Sequence, residues 1–211
     1  LEKLRPVERE LHYDRLLLRG PLEMAGEGFA RRGVMSFDEL ADNAEAEIET
    51  RHIRFGDAAA VLWTSGTTGK PKGVIQSHNV WIRAALNNDP LNGTRAGDVA
   101  YNCLPLYNSA AWVANIYRAL STGIPCALDE QFSVSKFWGR IRHYGATQTM
   151  TLGAMHMFLW NEPRRTDDAD NPLRVASMVP MPQKLIAPFC ERFGLEAIVQ
   201  GLGQSEVMPI L

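Results

Sequence analysis

Cysteine is scarce in this chain of 211 residues, and the three that occur, Cys103, Cys126 and Cys190, stand far apart. Their spacing forms neither a disulfide framework nor the close CxxC pairs of a structural zinc site. They read as buried free thiols in a reducing compartment, so a cytoplasmic location is expected. Positive charge is not in excess, since 22 Lys and Arg face 24 Asp and Glu for a net charge of -2. With no basic block to track a phosphate backbone, nucleic acid is not an expected partner. Long apolar runs are missing too. Ala58 to Trp63 and Met155 to Trp160, the latter with His156 inside it, fall far short of the ~20 residues that cross a bilayer, so no transmembrane segment is expected. The first residues, from Leu1, carry no apolar stretch of the secretory type. No repeat or low-complexity tract appears.

What is present is ordinary for a folded protein: 45% hydrophobic and 22% charged residues, enough apolar surface for a real core. At roughly 150 residues per domain, the length implies one large domain or one and a half. Gly and Pro punctuation from about residue 58 onward separates alternating strand-like and helical segments, the rhythm of an α/β fold. Ser36 and Glu39 form a capping box, with Met35 and Leu40 as a staple, predicting a helix over 37–49. Strands are predicted at Ala59 to Thr64 and Gly73 to Gln76, then a helix capped by Ser77 and running to about Asn88, then a strand at Val99 to Leu104. Val113, Ile116, Tyr117 and Leu120 recur at the spacing of one buried helix face that stops at Gly123. The unit repeats: strand Pro125 to Leu128, helix from Val134 closed by Gly145, strand Thr147 to Leu152. Strand Arg174 to Val179, helix Pro182 to Phe193 and strand Glu196 to Gln200 complete it. The cluster Asp167, Asp168 and Asp170 beside Asn171 and Pro172 could hold a metal, but a solvated loop is the expectation.

Chemistry concentrates at Thr64 to Val74, TSGTTGKPKGV, which leaves a buried strand. Gly66 and Gly69 admit backbone angles closed to other residues and let main-chain N–H groups approach an anion; Ser65, Thr67 and Thr68 add hydroxyl donors, and Lys70 and Lys72 add positive charge. The glycine spacing is not that of a Walker A loop. Pro71 pushes Lys70 out of the helical region, so the loop does not run into a helix N-terminus; a flap over a polyphosphate is expected, with a polar hairpin loop as the alternative. Further on, Gly201, Gly203, Ser205 and Glu206 follow the last strand. They do not make a dinucleotide fingerprint, because the third glycine is missing and no helical segment follows.

Thr64 to Val74 resembles, without a break, the signature phosphate loop of the adenylate-forming superfamily. CLPLYNSA at Cys103 to Ala110 is similar to its second motif, with Asn108 where the family usually has His. Leu202 to Glu206 is similar to its third, with the tyrosine replaced by Leu202. The resemblance implies the partial large N-terminal domain of such an enzyme, an α/β fold with a mixed sheet layered with helices: residues 1–34 an N-terminal segment, residues 35–211 a fragment of the AMP-binding domain. A longer parent protein is expected, with a hinge, a ribose-binding Asp and a small C-terminal domain further along. The implied activity is ATP-dependent activation of a small-molecule carboxylic acid to an acyl-adenylate and transfer of the acyl group to CoA, with Mg2+ as cofactor. The implied nucleotide-binding set is Thr64, Ser65, Gly66, Thr67, Thr68, Gly69, Lys70, Lys72, Gly203, Gln204 and Ser205. Within these, Thr67, Lys72, Ser205 and Glu206 would be catalytic, Glu206 the metal ligand, and Tyr107 and Asn108 the border of the acid pocket. Phe137 to Thr147 and Phe189 to Gly194 are most similar to carnitine or crotonobetaine CoA ligases. A carrier-protein thiol as acceptor, or a non-catalytic nucleotide-binding remnant, are the alternative readings.

Overall fold

Parallel strands need a long crossover between them, and from residue 100 to 199 the chain supplies a helix between each strand and the next. In a computed structural model that describes residues 6, 10, 15–25, 33–42, 52–64 and 69–210, two units are distinguished, residues 1–52 and 53–211. In the first, β1 (Leu16–Leu18) pairs in parallel with β2 (Val34–Ser36), and α1 (Phe37–Asp42) follows. The Ser36 hydroxyl accepts the Glu39 N–H at 3.2 Å, so the predicted cap is made. The rest of the predicted helix, 43–49, lies outside the described residues.

In the second unit, β3 (Ala58–Thr64) and β4 (Lys72–Ser77) form an antiparallel hairpin, so the loop after Pro71 enters a strand and not a helix. Helix α2 (His78–Asn92) starts where expected, Ser77 Oγ accepting the Val80 N–H at 3.3 Å. It runs one turn past the expected end at Asn88 and carries Pro90 inside it. Asn92 Nδ2 donates to the Asn88 carbonyl at 2.8 Å, and left-handed Gly93 returns its N–H to Asp89 O at 3.0 Å, so two carbonyls of the last turns find donors.

Five strands then form one parallel sheet: β5 (Ala100–Asn102), β6 (Cys126–Leu128), β7 (Gln148–Leu152), β8 (Val175–Val179) and β9 (Ala197–Val199), in spatial order β6-β5-β7-β8-β9. The chain leaves β5 toward one edge and returns across it to β7, so the winding reverses between β5 and β7. Side chains alternate along β8. Ala176 and Met178 enter a core with Phe137 and Ile141 of α4 (Val134–Tyr144), Leu159 of α5 (Ala154–Asn161), and Phe189 and Phe193 of α6 (Gln183–Phe193). Ser177 turns to the opposite side and reaches Asn92 of α2. Helix α5 arises from the apolar run Met155 to Trp160, which sequence reading assigned to no element.

The helix between β5 and β6 departs from expectation. It begins at Ser109, is π-helical over Ala111–Tyr117 and continues as α3 (Arg118–Thr122). The wider turn changes the period, so Ala111, Val113, Ala114, Asn115, Arg118 and Ala119 are the buried positions, whereas Leu120, expected on the buried face, is 74% exposed. A second correction concerns the aspartates. Asp168 is not solvated: it is 8% exposed and accepts Nε of buried Arg192 at 2.7 Å, while Asp167 pairs with Arg165 on the surface. The chain closes in an antiparallel hairpin, β10 (Leu202–Gln204) and β11 (Val207–Ile210), which carries the third motif beyond the last parallel strand.

His156 is fully buried, its Nδ1 3.1 Å from Thr151 Oγ1 and its Nε2 2.8 Å from the Pro180 carbonyl. A neutral imidazole satisfies both partners, donating from Nε2 and accepting at Nδ1. Burial pushes its pKa below the ordinary value, and the Pro180 hydrogen bond only partly opposes this. The unfolded chain therefore takes up a proton first. Stability contributed by neutral His156 is complete above about pH 6.5 and is lost as pH falls through the lowered native value. Asp98, buried but held by hydrogen bonds from Arg174, the Arg95 N–H and Thr147 that together outweigh burial, titrates below its ordinary range and so acts at lower pH. Urea denaturation at pH 7.5 and 5.5 is expected to show a loss of up to about 1.4 kcal/mol per pH unit, and a flatter profile in His156→Gln.

Candidate functional site

In a parallel sheet, side chains and loops beyond the carboxyl ends of the strands surround a crevice wherever the winding reverses. A cavity of about 330 Å³ opens at that place. Its floor is Met150 and Leu152 from the end of β7, Ser177 and Val179 from the end of β8, and Val199 from the end of β9. One wall is Asn88 and Leu91 of α2; another is Asn108 to Ala110, with Val113 and Ala114 on the π turn. Residues 200–205 and Met208 of the terminal hairpin close the rim. Segments 108–110 and 203–205, far apart in the chain and each singled out by its own motif, therefore meet across one cavity.

Asn108 is held by the helix it starts. Its Oδ1 accepts the Ala110 N–H at 2.9 Å and its carbonyl accepts the Ala111 N–H at 3.1 Å, the geometry of an N-cap, and its side-chain amide N–H groups meet no partner among the described residues. The Asn108 N–H in turn donates to the Pro105 carbonyl at 2.9 Å, and this tight turn lifts Tyr107 to its tip. Tyr107 is 85% exposed and lies outside the cavity border.

The β3–β4 hairpin carries the glycine- and hydroxyl-rich segment. Thr64 and Lys72 are register partners at the open end of β3 and β4. Gly69 takes a positive φ of 83°, which suits glycine at the turn into Lys70, and a β-carbon there would meet nothing among the described residues. Ser65, Gly66, Thr67 and Thr68 lie outside the described residues. Gln76, 3% exposed on β4, donates its Nε2 to the carbonyl of Ser205, so the strand that carries Lys72 is tied to the third motif. Lys70 and Lys72 are exposed and form no ion pair among the described residues; neither does Glu206, exposed at the turn of the terminal hairpin. Thr64, Gly69, Lys70, Lys72 and Glu206 do not border the cavity.

No Asp, Glu, Lys, Arg or His borders the cavity among the described residues, so its interior is neutral. The thiols take no part. Burial pushes Cys103 up to about 12 and Cys126 up to about 11, leaving both protonated at neutral pH. No cluster of His, Cys, Asp or Glu able to hold a metal by itself occurs among the described residues. Sequence reading missed Asn88, Met150, Ser177 and Val199. The one available signal was Ser177, a hydroxyl inside the otherwise apolar run Val175 to Val179.

Comparison with known proteins agrees with this layout. Residues 17–211 match the AMP-binding enzyme family. A long-chain fatty acid transport protein 2 from Rattus norvegicus is 34% identical over 143 residues, covering 67% of this chain and 23% of the relative. A medium/long-chain-fatty-acid-CoA ligase from Mycobacterium tuberculosis is 30% identical over 155 residues, 73% of this chain and 26% of the relative. This chain thus spans roughly a quarter of these curated relatives. An O-succinylbenzoate coenzyme A synthetase from Bacillus subtilis, solved with ATP and magnesium, superposes with a TM-score of 0.72 at 26% identity, over 97% of this chain and 42% of that one. The mixed α/β fold expected from the sequence is therefore shared.

Asn108→Ala removes the cap and is expected to cost about 1 kcal/mol of stability, with Asn108→Ser restoring most of it, as read from urea midpoints. Equal midpoints in wild type and Asn108→Ala would show that the cap contributes nothing.

Proposed function

Because the chain belongs to the AMP-binding enzyme family, we propose that it forms the nucleotide- and acid-handling part of an AMP-forming acid-thiol ligase. Such an enzyme couples a carboxylic acid to AMP from ATP, releasing pyrophosphate, and passes the acyl group to the thiol of CoA. The observation that carries this reading is the convergence of residues 108–110 and 203–205 on one neutral cavity, with Gln76 linking that rim to the lysine-bearing hairpin.

In the first half-reaction an acid carboxylate oxygen attacks the α-phosphorus in line while pyrophosphate departs. Two anions must be brought together and the charge on the leaving group offset. Lys70 and Lys72, with no carboxylate partner among the described residues, are free to supply that charge, and Thr64 to Gly69 supply hydroxyl and main-chain donors. Ser205 contributes a hydroxyl donor near the α-phosphate, its main chain held by Gln76. Gly203 and Gln204 flank it on the nucleotide side, and Asn108 offers amide N–H groups at the acid side, with Tyr107 outside the rim.

Glu206 suits Mg2+ as a single exposed carboxylate that pairs with no cation among the described residues, since this ion commonly takes one or two protein carboxylates and completes its shell with phosphate oxygens and water. Bound there, Mg2+ would draw charge from the phosphates. The neutral cavity receives the acid's tail while its carboxylate faces the nucleotide.

The test is acid-dependent ATP–pyrophosphate exchange in the protein at its full natural length. Replacing Thr67 and Thr68 together by Ala is expected to lower exchange at least tenfold, about 1.4 kcal/mol of transition-state stabilisation. Glu206→Gln is expected to lower turnover more than it weakens acid binding, with partial recovery as Mg2+ is raised. Exchange unchanged in the double variant would overturn the loop assignment. Wild-type rates for Glu206→Gln at limiting Mg2+ would remove the metal role.

A further inference from the structure

We propose that the acid accepted by this cavity carries an uncharged hydrogen-bonding group in its tail, a hydroxyl by preference, read by Ser177 and Asn88 under the control of Asn92. This rests on the acid-activation reading above and narrows its substrate class. Asn92 is 3% exposed and does not itself border the cavity. It bridges two residues that do. Its Nδ2 donates to Asn88 Oδ1 at 2.6 Å and to the Asn88 carbonyl at 2.8 Å, and its Oδ1 accepts the Ser177 hydroxyl at 3.2 Å. The Asn92 carbonyl also accepts Gln148 Nε2 at 3.4 Å, which fixes the bridge to β7.

The direction of these bonds decides what the wall can offer. Ser177 has spent its only proton on Asn92, so toward the cavity it has lone pairs alone. Asn88 has its side-chain oxygen engaged by Asn92, and its side-chain N–H groups meet no partner among the described residues. One acceptor and one donor, joined through Asn92, therefore stand on the cavity lining together with the apolar Leu91, Val113, Met150 and Val179, in addition to the polar residues of segments 108–109 and 200–205. A hydroxyl answers both at once, donating to Ser177 Oγ and accepting from Asn88 Nδ2. A plain hydrocarbon tail would strip both groups of water and return nothing, a penalty that makes sites built to bind a hydroxyl reject the analogue lacking it. An ammonium or a second carboxylate would enter with no opposite charge on the border.

Asn92 is thus a positioning residue. Without it, Ser177 regains a free proton and Asn88 a free carbonyl oxygen, and the fixed polarity of the wall is gone.

The experiment compares kcat/KM in acid-dependent ATP–pyrophosphate exchange for a short straight-chain acid, its monohydroxy isomers, and its terminal amino and dicarboxylic counterparts. At least one hydroxy isomer is expected to exceed the parent acid by about tenfold or more, with both charged counterparts below the parent. The same ratio of hydroxy acid to parent should collapse toward one in Ser177→Ala, Asn88→Leu and Asn92→Leu, and persist in Ser177→Thr, which keeps the hydroxyl. A ratio is independent of how much protein folds, and if Asn92→Leu does not fold, Ser177→Ala and Asn88→Leu decide. A parent acid as good as every hydroxy isomer in the wild type, or a preference that survives in Ser177→Ala and Asn88→Leu, overturns the proposal while leaving acid activation intact. Absence of exchange with every acid overturns acid activation itself, and this inference with it.

Discussion

A guanidinium buried at Arg118 sets the terms for this half of the molecule. The side chain is 1% exposed, and a charge so placed is tolerable only when its donors are spoken for. Nε donates to the Ala114 carbonyl at 2.8 Å, inside its own π turn. Nη1 donates to Thr94 Oγ1 at 2.8 Å and to Gln148 Oε1, and lies 3.7 Å from the Asp89 carboxylate. Those partners come from the end of α2, the loop after it and the first residue of β7. Satisfying one buried cation thereby holds a helix, a loop and a central strand in one arrangement.

The same arrangement shapes the cavity. Gln148, with its oxygen on Arg118, turns its amide to Asp98 Oδ2 at 2.8 Å and to the Asn92 carbonyl. Asp98 is in turn gripped by Arg174 at 2.6 Å, from the residue that leads into β8. Each unmet partner in a buried polar chain carries its own desolvation cost, and here Arg174 Nε is left without a partner among the described residues. These bonds run behind the cavity wall, from the Arg118 pocket to Ser177, and give a neutral binding surface a rigid backing. On the opposite face of the sheet the packing is apolar and aromatic, with Trp138 stacked on Phe193 at 4.4 Å and Phe189 beside it at 4.6 Å.

The order of the strands explains why a site forms here at all. With helices α4, α5 and α6 packed on one face and α2 with the π-turn helix on the other, the crossovers diverge between β5 and β7 and leave a gap at the strand ends. Into that gap the chain delivers Asn108 from the turn after β5 and residues 200–205 from the turn after β9. The β3–β4 hairpin is brought up by different devices, the hydrogen bond from Gln76 to Ser205 and the packing of Ala60 and Leu62 with Trp81, Val113 and Met208.

Local chemistry was readable from the residues alone. The caps at Ser36 and Ser77, the helix stops at Gly123, Gly145 and Gly194, the alternation of strands and helices, and the glycine- and hydroxyl-rich loop all depend on neighbours a few positions away. The similarity of Thr64 to Val74 to a known signature carried the family. What depended on distant partners was not readable. On the helix with the π turn Arg118 is buried and Leu120 is exposed, the reverse of what the apolar spacing implied. Asp168 left the solvent because Arg192 waits for it some twenty residues away, at a position no periodicity singles out. Asn88, Asn92 and Ser177 became one wall only when α2 was laid against β8. Short-range hydrogen bonds and turn preferences are encoded in adjacent residues, whereas burial, strand order and the pairing of buried polar groups are properties of packing, decided only when the whole chain competes for the same interior.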